Sequence, residues 1–185
     1  VSLWNSTFKN PGQPLKRKTP MRSLLKPSLR PKIGKTLHVW KKAKQTVFRS
    51  PEYLSAVRTL DCVCCGKWKA YTEAAHSNQI LFGKGGRLKA SDATAMALCK
   101  TIPGLSVGCH ALHDQGGKLT KEQRNQFEYE HIHKTIFALI RAGRLEGTDE
   151  AMQKVNADYD SYESAVLVLV PLIEGGELKV VGEMA

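Results

Sequence analysis

A chain of 185 residues with 28 Lys and Arg against 17 Asp and Glu suits one ordinary domain with extensions and is too short for two of comfortable size. No apolar run approaches the roughly 18 residues of a membrane span, and no basic, apolar and small-residue leader is present, so a soluble, non-secreted protein is expected. The net charge of +11 is uneven, because residues 1–50 hold thirteen cations and no acid, which directs attention to a polyanionic partner.

From Val1 to about Lys35, five prolines alternate with cations that include Lys16, Arg17 and Lys18. Few apolar groups are there to offset the entropy of ordering, so the segment reads as a disordered basic arm, suited to a nucleic-acid backbone or simply to solubility. Thr36 to Phe48 predicts a short helix or strand that packs Trp40 and presents Lys41 and Lys42. Ser50, Pro51 and Glu52 then supply an N-cap, a first helical position and an acidic first turn, and Tyr53, Leu54, Val57 and Leu60 follow at helical spacing. Composition predicts a strand between Trp68 and His76. Phe82 to Arg87 is a glycine-rich loop with two cations, Lys84 and Arg87, outside the frame of an NTPase phosphate loop. It is either a plain flexible loop or a contact to a nucleic-acid backbone.

Ser91 and Asp92 have the look of a cap, and Ala93 to Leu98 leads to Cys99. Thr101 to Gly108 is an inserted loop, Cys109 to Gln115 a short helix stopped by Gly116 and Gly117. Thr120 to Gln123 forms a capping box for a long helix whose Phe127, Ile132, Ile136, Phe137, Leu139 and Ile140 make a buried stripe, ended by Gly143. His131 and His133, two apart, share no face and are expected at the rim. From Glu146 onward nine acids stand against Lys154 and Lys179, and Ala165 to Ile173 and Glu177 to Val181 read as two β-rich runs joined at Gly175 and Gly176 in a hairpin.

All five cysteines and three of the six histidines lie between Cys62 and Asp114. Cys62-x2-Cys65 followed by Gly66 has the spacing of a zinc knuckle, with Cys64 as a substitute for Cys65, and Cys99 and Cys109 can complete a tetrahedral four-thiolate site. Buried or redox cysteines are the plainer alternative. An odd number of cysteines in such spacing suits a reducing compartment. His76 follows two alanines on the expected strand, while His110 with His113 or Asp114 has the i, i+3 and i, i+4 spacing that converges two ligands on one cation. A strand imidazole opposite a helix holding a hard metal is a workable hydrolytic arrangement.

Residues 49–119 resemble the HNH endonucleases of the ββα-metal (His-Me finger) class. The carriers are Arg-Ser-Pro-Glu-Tyr-Leu-x2-Val-Arg-x-Leu (49–60), Cys-x2-Cys-Gly (62–66), Ala-His (75–76), Lys-Ala-Ser-Asp (89–92), Leu-Cys (98–99) and Cys-His-x-Leu-His-x2-Gly (109–116). The chain looks like the phage and prophage branch that includes the recombination-enhancement nuclease.

That resemblance implies an α+β fold: a small zinc-stabilised ββα-metal core (36–145) with flanking helices, a basic arm (1–35) and an acidic C-terminal extension (146–185) carrying the hairpin. It implies DNA as substrate, 5′-phosphate products, structural Zn2+ on Cys62, Cys65, Cys99 and Cys109, and catalytic Mg2+ or Mn2+. His76 would be the general base, and His110 a metal ligand together with His113, which keeps the motif's ending, or Asp114, which keeps the i+4 distance. Asp92 would steady the loop that carries the base. Ala75 departs from the pattern, standing where many HNH enzymes place a further metal ligand. A phage-encoded protein of the bacterial host cytoplasm follows; the rival reading is a non-catalytic zinc module that binds nucleic acid. A third reading has it recruited by a recombinase filament or another recombination protein.

Overall fold

Ser50 caps a helix as the sequence predicts: its side chain accepts a hydrogen bond from the Tyr53 N–H and starts α1 (Pro51–Arg58). The computed structural model describes residues 47–115 and 119–181, so the expected basic arm with Lys16, Arg17 and Lys18, the pair Lys41 and Lys42, and the expected helix stop at Gly116 and Gly117 lie outside the described residues. A 3-10 turn at Lys69–Tyr71 leads into β1 (Thr72–Ala75), which pairs antiparallel with β2 (Met96–Cys99) in the register Thr72 to Cys99 and Ala75 to Met96. The short helix α2 (Cys109–Asp114) packs on β2, and α3 (Lys121–Arg141) follows.

α3 carries the expected capping box, with Thr120 and Gln123 each accepting from the other's backbone N–H. Its stripe is Ile132, Ile136 and Leu139, all fully buried, with Phe127, Phe137 and Ile140 partly so. Tyr53 and Val57 of α1 and Met96 and Leu98 of β2 join the same core. β2 is short, and Ala97 is satisfied from outside the sheet: its N–H donates to Thr135 Oγ1 of α3 (3.1 Å) and its carbonyl accepts from Val63 N–H (2.9 Å). The strand is thereby fixed between the cysteine loop and α3, with no backbone group left wanting at that residue.

The C-terminal region differs from expectation. Residues 165–173 are not a strand: they lie in α5 (Tyr162–Glu174), capped by Ser161. Ala165, Val166, Leu169, Val170, Leu172 and Ile173 are buried at helical spacing, and Pro171, inside the helix near its end, has no N–H to donate to the Leu167 carbonyl, which costs α5 one backbone bond. The second run is a strand, β4 (Leu178–Val180), but its partner is β3 (Leu145–Gly147), so the predicted hairpin is replaced by β3, α4 (Asp149–Val155), α5 and β4. Leu145, Val155, Leu169 and Leu178 belong to the same buried cluster as Ile136. The described residues form one compact unit of mixed α and β structure. Among the described residues no helix is long and apolar enough to cross a membrane.

Candidate metal centre and histidine site

Two sites are built on the β1–β2–α2 unit. The first is a cluster of thiols: the Sγ atoms of Cys62, Cys65, Cys99 and Cys109 all lie within 4.8 Å of one another, and these four could hold a metal ion such as zinc. The knuckle is closed by Gly66 N–H to Cys62 C=O (2.8 Å) and Cys62 N–H to Lys67 C=O (2.8 Å), with Gly66 at φ 70°, the left-handed region glycine enters without cost. Cys65 belongs to this group and Cys64 does not, although both are exposed.

The wide gap between Cys99 and Cys109 is bridged by a loop that returns on itself. Ile102 N–H donates to Ser106 C=O (2.9 Å), Gly108 N–H to Thr101 Oγ1 (3.1 Å), and Lys67 Nζ to Ser106 Oγ (2.7 Å). A β-carbon on Gly108 would overlap the Cys99 carbonyl oxygen and the Lys100 carbonyl carbon, so only glycine allows this approach. The Cys109 N–H then donates to Cys99 Sγ (3.3 Å). Burial pushes the Cys99 and Cys109 thiols up, whereas Cys65 is held below its ordinary value because hydrogen bonds from Lys67 and the other thiols outweigh its burial. Four crowded thiols cannot all ionise without a cation, and the chemistry of the donor set suits a thiophilic one.

The second site begins where β1 ends. His76 Nε2 lies 2.9 Å from Asp92 Oδ1. That oxygen also accepts from Arg49 (2.9 Å), and Asp92 Oδ2 accepts from the Ser50 N–H (2.9 Å). Burial works against the charge on Asp92, but the bonds from His76, Ser50 and Arg49 hold its carboxyl below the usual range. An ionised carboxylate only accepts, so His76 carries its proton on Nε2 and presents Nδ1 as the basic nitrogen. Asp92 was expected to steady the loop carrying His76; it touches the imidazole itself.

α2 projects His110, His113 and Asp114. His110 Nδ1 lies 2.9 Å from Glu73 Oε2 of β1, and His110 Nε2 lies 3.3 Å from Asp114 Oδ2. His113 Nε2 lies 2.8 Å from Glu128 Oε1 of α3, and its Nδ1 is 3.3 Å from Asp114 Oδ1 without hydrogen-bond geometry. Asp114 thus stands between both imidazoles, and neither candidate partner of His110 is set aside. Among the described residues the thiols are the one group of three or more such ligand atoms that lie mutually close; the helix residues meet in pairs through Asp114.

Several residues at this site, Arg49 apart, carry no motif signal in the sequence. Glu73 and Glu128 are the carboxylate partners of the two histidines, and Arg49 also donates to the Lys89 (2.7 Å) and Ala90 (2.5 Å) carbonyls. Asn78 links the segment after His76 to α2, its Nδ2 donating to Asp114 Oδ1 (3.2 Å). His131, expected at the rim, is buried, stacked on Phe127 with ring centroids 3.9 Å apart, its Nδ1 bonded to the Phe127 carbonyl (2.7 Å); burial pushes its pKa down. His133 is half-buried beside Phe137 and Tyr162.

The loop bearing Lys84 and Arg87 is a tight hairpin turn, with Leu88 N–H donating to Gly85 C=O (2.7 Å) and both Gly86 (φ 51°) and Arg87 (φ 73°) in the left-handed region. That is the pattern of a type I′ turn, and Arg87 is exposed at its tip. The chain matches no family model, no curated protein and no solved structure.

Proposed function

We propose that the chain is a divalent-metal-dependent DNA endonuclease of HNH type, phage-encoded, working in the host cytoplasm in DNA recombination or processing, with a structural zinc on its four thiols. The observation that carries the reading is the His76–Asp92 pair at the end of β1. A histidine whose Nε2–H is held by a buried, ion-paired carboxylate has a fixed tautomer and a basic Nδ1, as a general base requires. A zinc-binding module has no use for that arrangement.

In this mechanism Asp92 orients the ring and stabilises the imidazolium that forms. His76 Nδ1 takes a proton from water, the oxygen attacks phosphorus, and the bond to the 3′-oxygen breaks to leave a 5′-phosphate. His110, His113 and Asp114 would hold a Mg2+ or Mn2+ ion, and the buried Nδ1 of His113, which has no hydrogen bond, is the atom that most wants such a partner. Bound there, the ion supplies charge stabilisation to the phosphate and the departing oxygen. Lys84 and Arg87 would contact the backbone.

The test is cleavage of plasmid, single-stranded and branched DNA with Mg2+, Mn2+ or chelator. His76→Ala should lose roughly 100- to 10,000-fold in rate while zinc content and DNA affinity hold. Equal cutting by parent and variant would leave the rival reading, a non-catalytic zinc module on nucleic acid, which the thiol cluster and the basic N-terminal charge favour by themselves. Recruitment by a recombinase filament is tested by adding one to the same assay.

A further inference from the structure

We infer that Glu128 is a positioning residue: it selects the Nε2–H tautomer of His113, turns the Nδ1 lone pair toward Asp114, and locks that helix to the segment following His76. The inference rests on the proposed nuclease only for the use to which a bound cation is put.

Glu128 lies on the buried stripe of α3, and neither its side chain nor that of His113 has any exposed surface. Both of its oxygens are engaged. Oε1 meets His113 Nε2 at 2.8 Å and the Asn78 N–H at 3.1 Å; Oε2 accepts from Ser77 Oγ in a short bond and from the Asn78 N–H at 3.2 Å. Each of these neighbours can donate, and a carboxylate surrounded by donors is an acceptor throughout. His113 must therefore place its proton on Nε2, which leaves the Nδ1 lone pair facing Asp114 Oδ1 at 3.3 Å.

In that tautomer two acceptors face each other, and no hydrogen bond joins them. A cation resolves that opposition, and the carboxylate–imidazole–cation order is the one in which an outer carboxylate fixes a ligand's tautomer and raises its basicity. His110 repeats the order with Glu73, but there the carboxylate is 46% exposed and can trade its partner for water. Glu128 has no such exchange. Its cost also argues for a role: burying a carboxylate is unfavourable unless donors surround it, and an apolar residue would continue the stripe of Ile132, Ile136 and Leu139. Because the same carboxylate grips Ser77 and Asn78, it sets the segment after the base and the cation-facing helix in one frame.

The test uses the whole 185-residue chain, zinc-loaded. Histidine ring 15N spectra at neutral pH should show His113 protonated at Nε2 alone, and Mn2+ titration should broaden the His110 and His113 rings first. In Glu128→Gln the amide NH2 can turn to Nε2, so His113 should move to the Nδ1–H form and the Mn2+ dissociation constant should rise roughly 10- to 100-fold, with zinc content unchanged. Glu128→Asp, which keeps the carboxylate, should retain the parent tautomer. A parent His113 protonated at Nδ1 overturns the proposal, and that spectrum decides even if the variants do not fold. So does a Glu128→Gln protein that binds Mn2+ as tightly as the parent. The expected tautomer and Mn2+ shifts in a protein that cuts no DNA would support the positioning role and sink the nuclease; cleavage whose Mn2+ dependence ignores Glu128→Gln would do the opposite.

Discussion

Asp92 accepts from an imidazole, a guanidinium and a backbone N–H, so replacing it disturbs His76 and the start of α1 together. Its depressed pKa means that its ionised form stabilises the fold fully above its ordinary value of 3.8, and that this stabilisation is lost as pH falls through the lower folded value. Asp92→Asn keeps one oxygen for His76 but turns an NH2 toward the Ser50 N–H, leaving donor against donor at a cost of about 1–3 kcal/mol. Urea midpoints from pH 7 down to pH 2 should show the variant less stable at neutral pH and the gap narrowing in acid. A constant gap would mean that Asp92 is not ionised in the fold. At this scale His76 and the cysteines were legible from residue type and spacing, whereas Glu73 was not, because a carboxylate on a strand acquires its role only from what the fold sets opposite it. Glu128 did leave a trace: positions 128, 132, 136 and 139 lie on one helical face, and a charge on a buried stripe asks for a partner.

β2 and α2 meet at Gly108, and the thiol cluster depends on how closely they approach. Gly108→Ala puts a methyl group into the Cys99 and Lys100 carbonyls, backbone atoms that cannot swing aside, so it should separate Cys109 from Cys99. The protein should lose its zinc, expected at about one per chain, and its cooperative unfolding with it, since a structural zinc site contributes on the order of 10 kcal/mol of apparent binding free energy. Cys64→Ser, outside the cluster, should do neither. Metal analysis of the two purified variants decides, and zinc retained in Gly108→Ala would break the link between this junction and the site. Helix starts were readable because caps are local chemistry: Ser50 and Thr120 bond within three residues of themselves. α5 was not, because a short run of Val, Leu and Ile is compatible with either a buried strand or a buried helix, and burial on α3 decides between them.

Over the whole molecule, charge is separated along the chain rather than mixed. Residues 1–50 hold thirteen cations and no acid, and the remainder is close to neutral, a division fully legible in the sequence while the packing of residues 146–181 into the core was not. If that N-terminal charge supplies affinity without sequence choice, each phosphate it neutralises releases counterions, and log K for duplex DNA falls with log salt by about 0.9 per contact. Deleting residues 1–35 should flatten that slope by several contacts and leave the rate at saturating DNA unchanged, because His76, Asp92 and α2 lie elsewhere in the chain. Arg87→Gly is the matched change within the core. It removes one exposed cation and relieves a left-handed residue, so it should raise stability by about 1 kcal/mol and lower the salt slope by about 0.9. Binding isotherms across a salt series, with denaturant midpoints for Arg87→Gly, measure both effects. A slope unmoved by the deletion would make the N-terminal charge a matter of solubility, and one unmoved by Arg87→Gly would take the turn off the DNA-binding face.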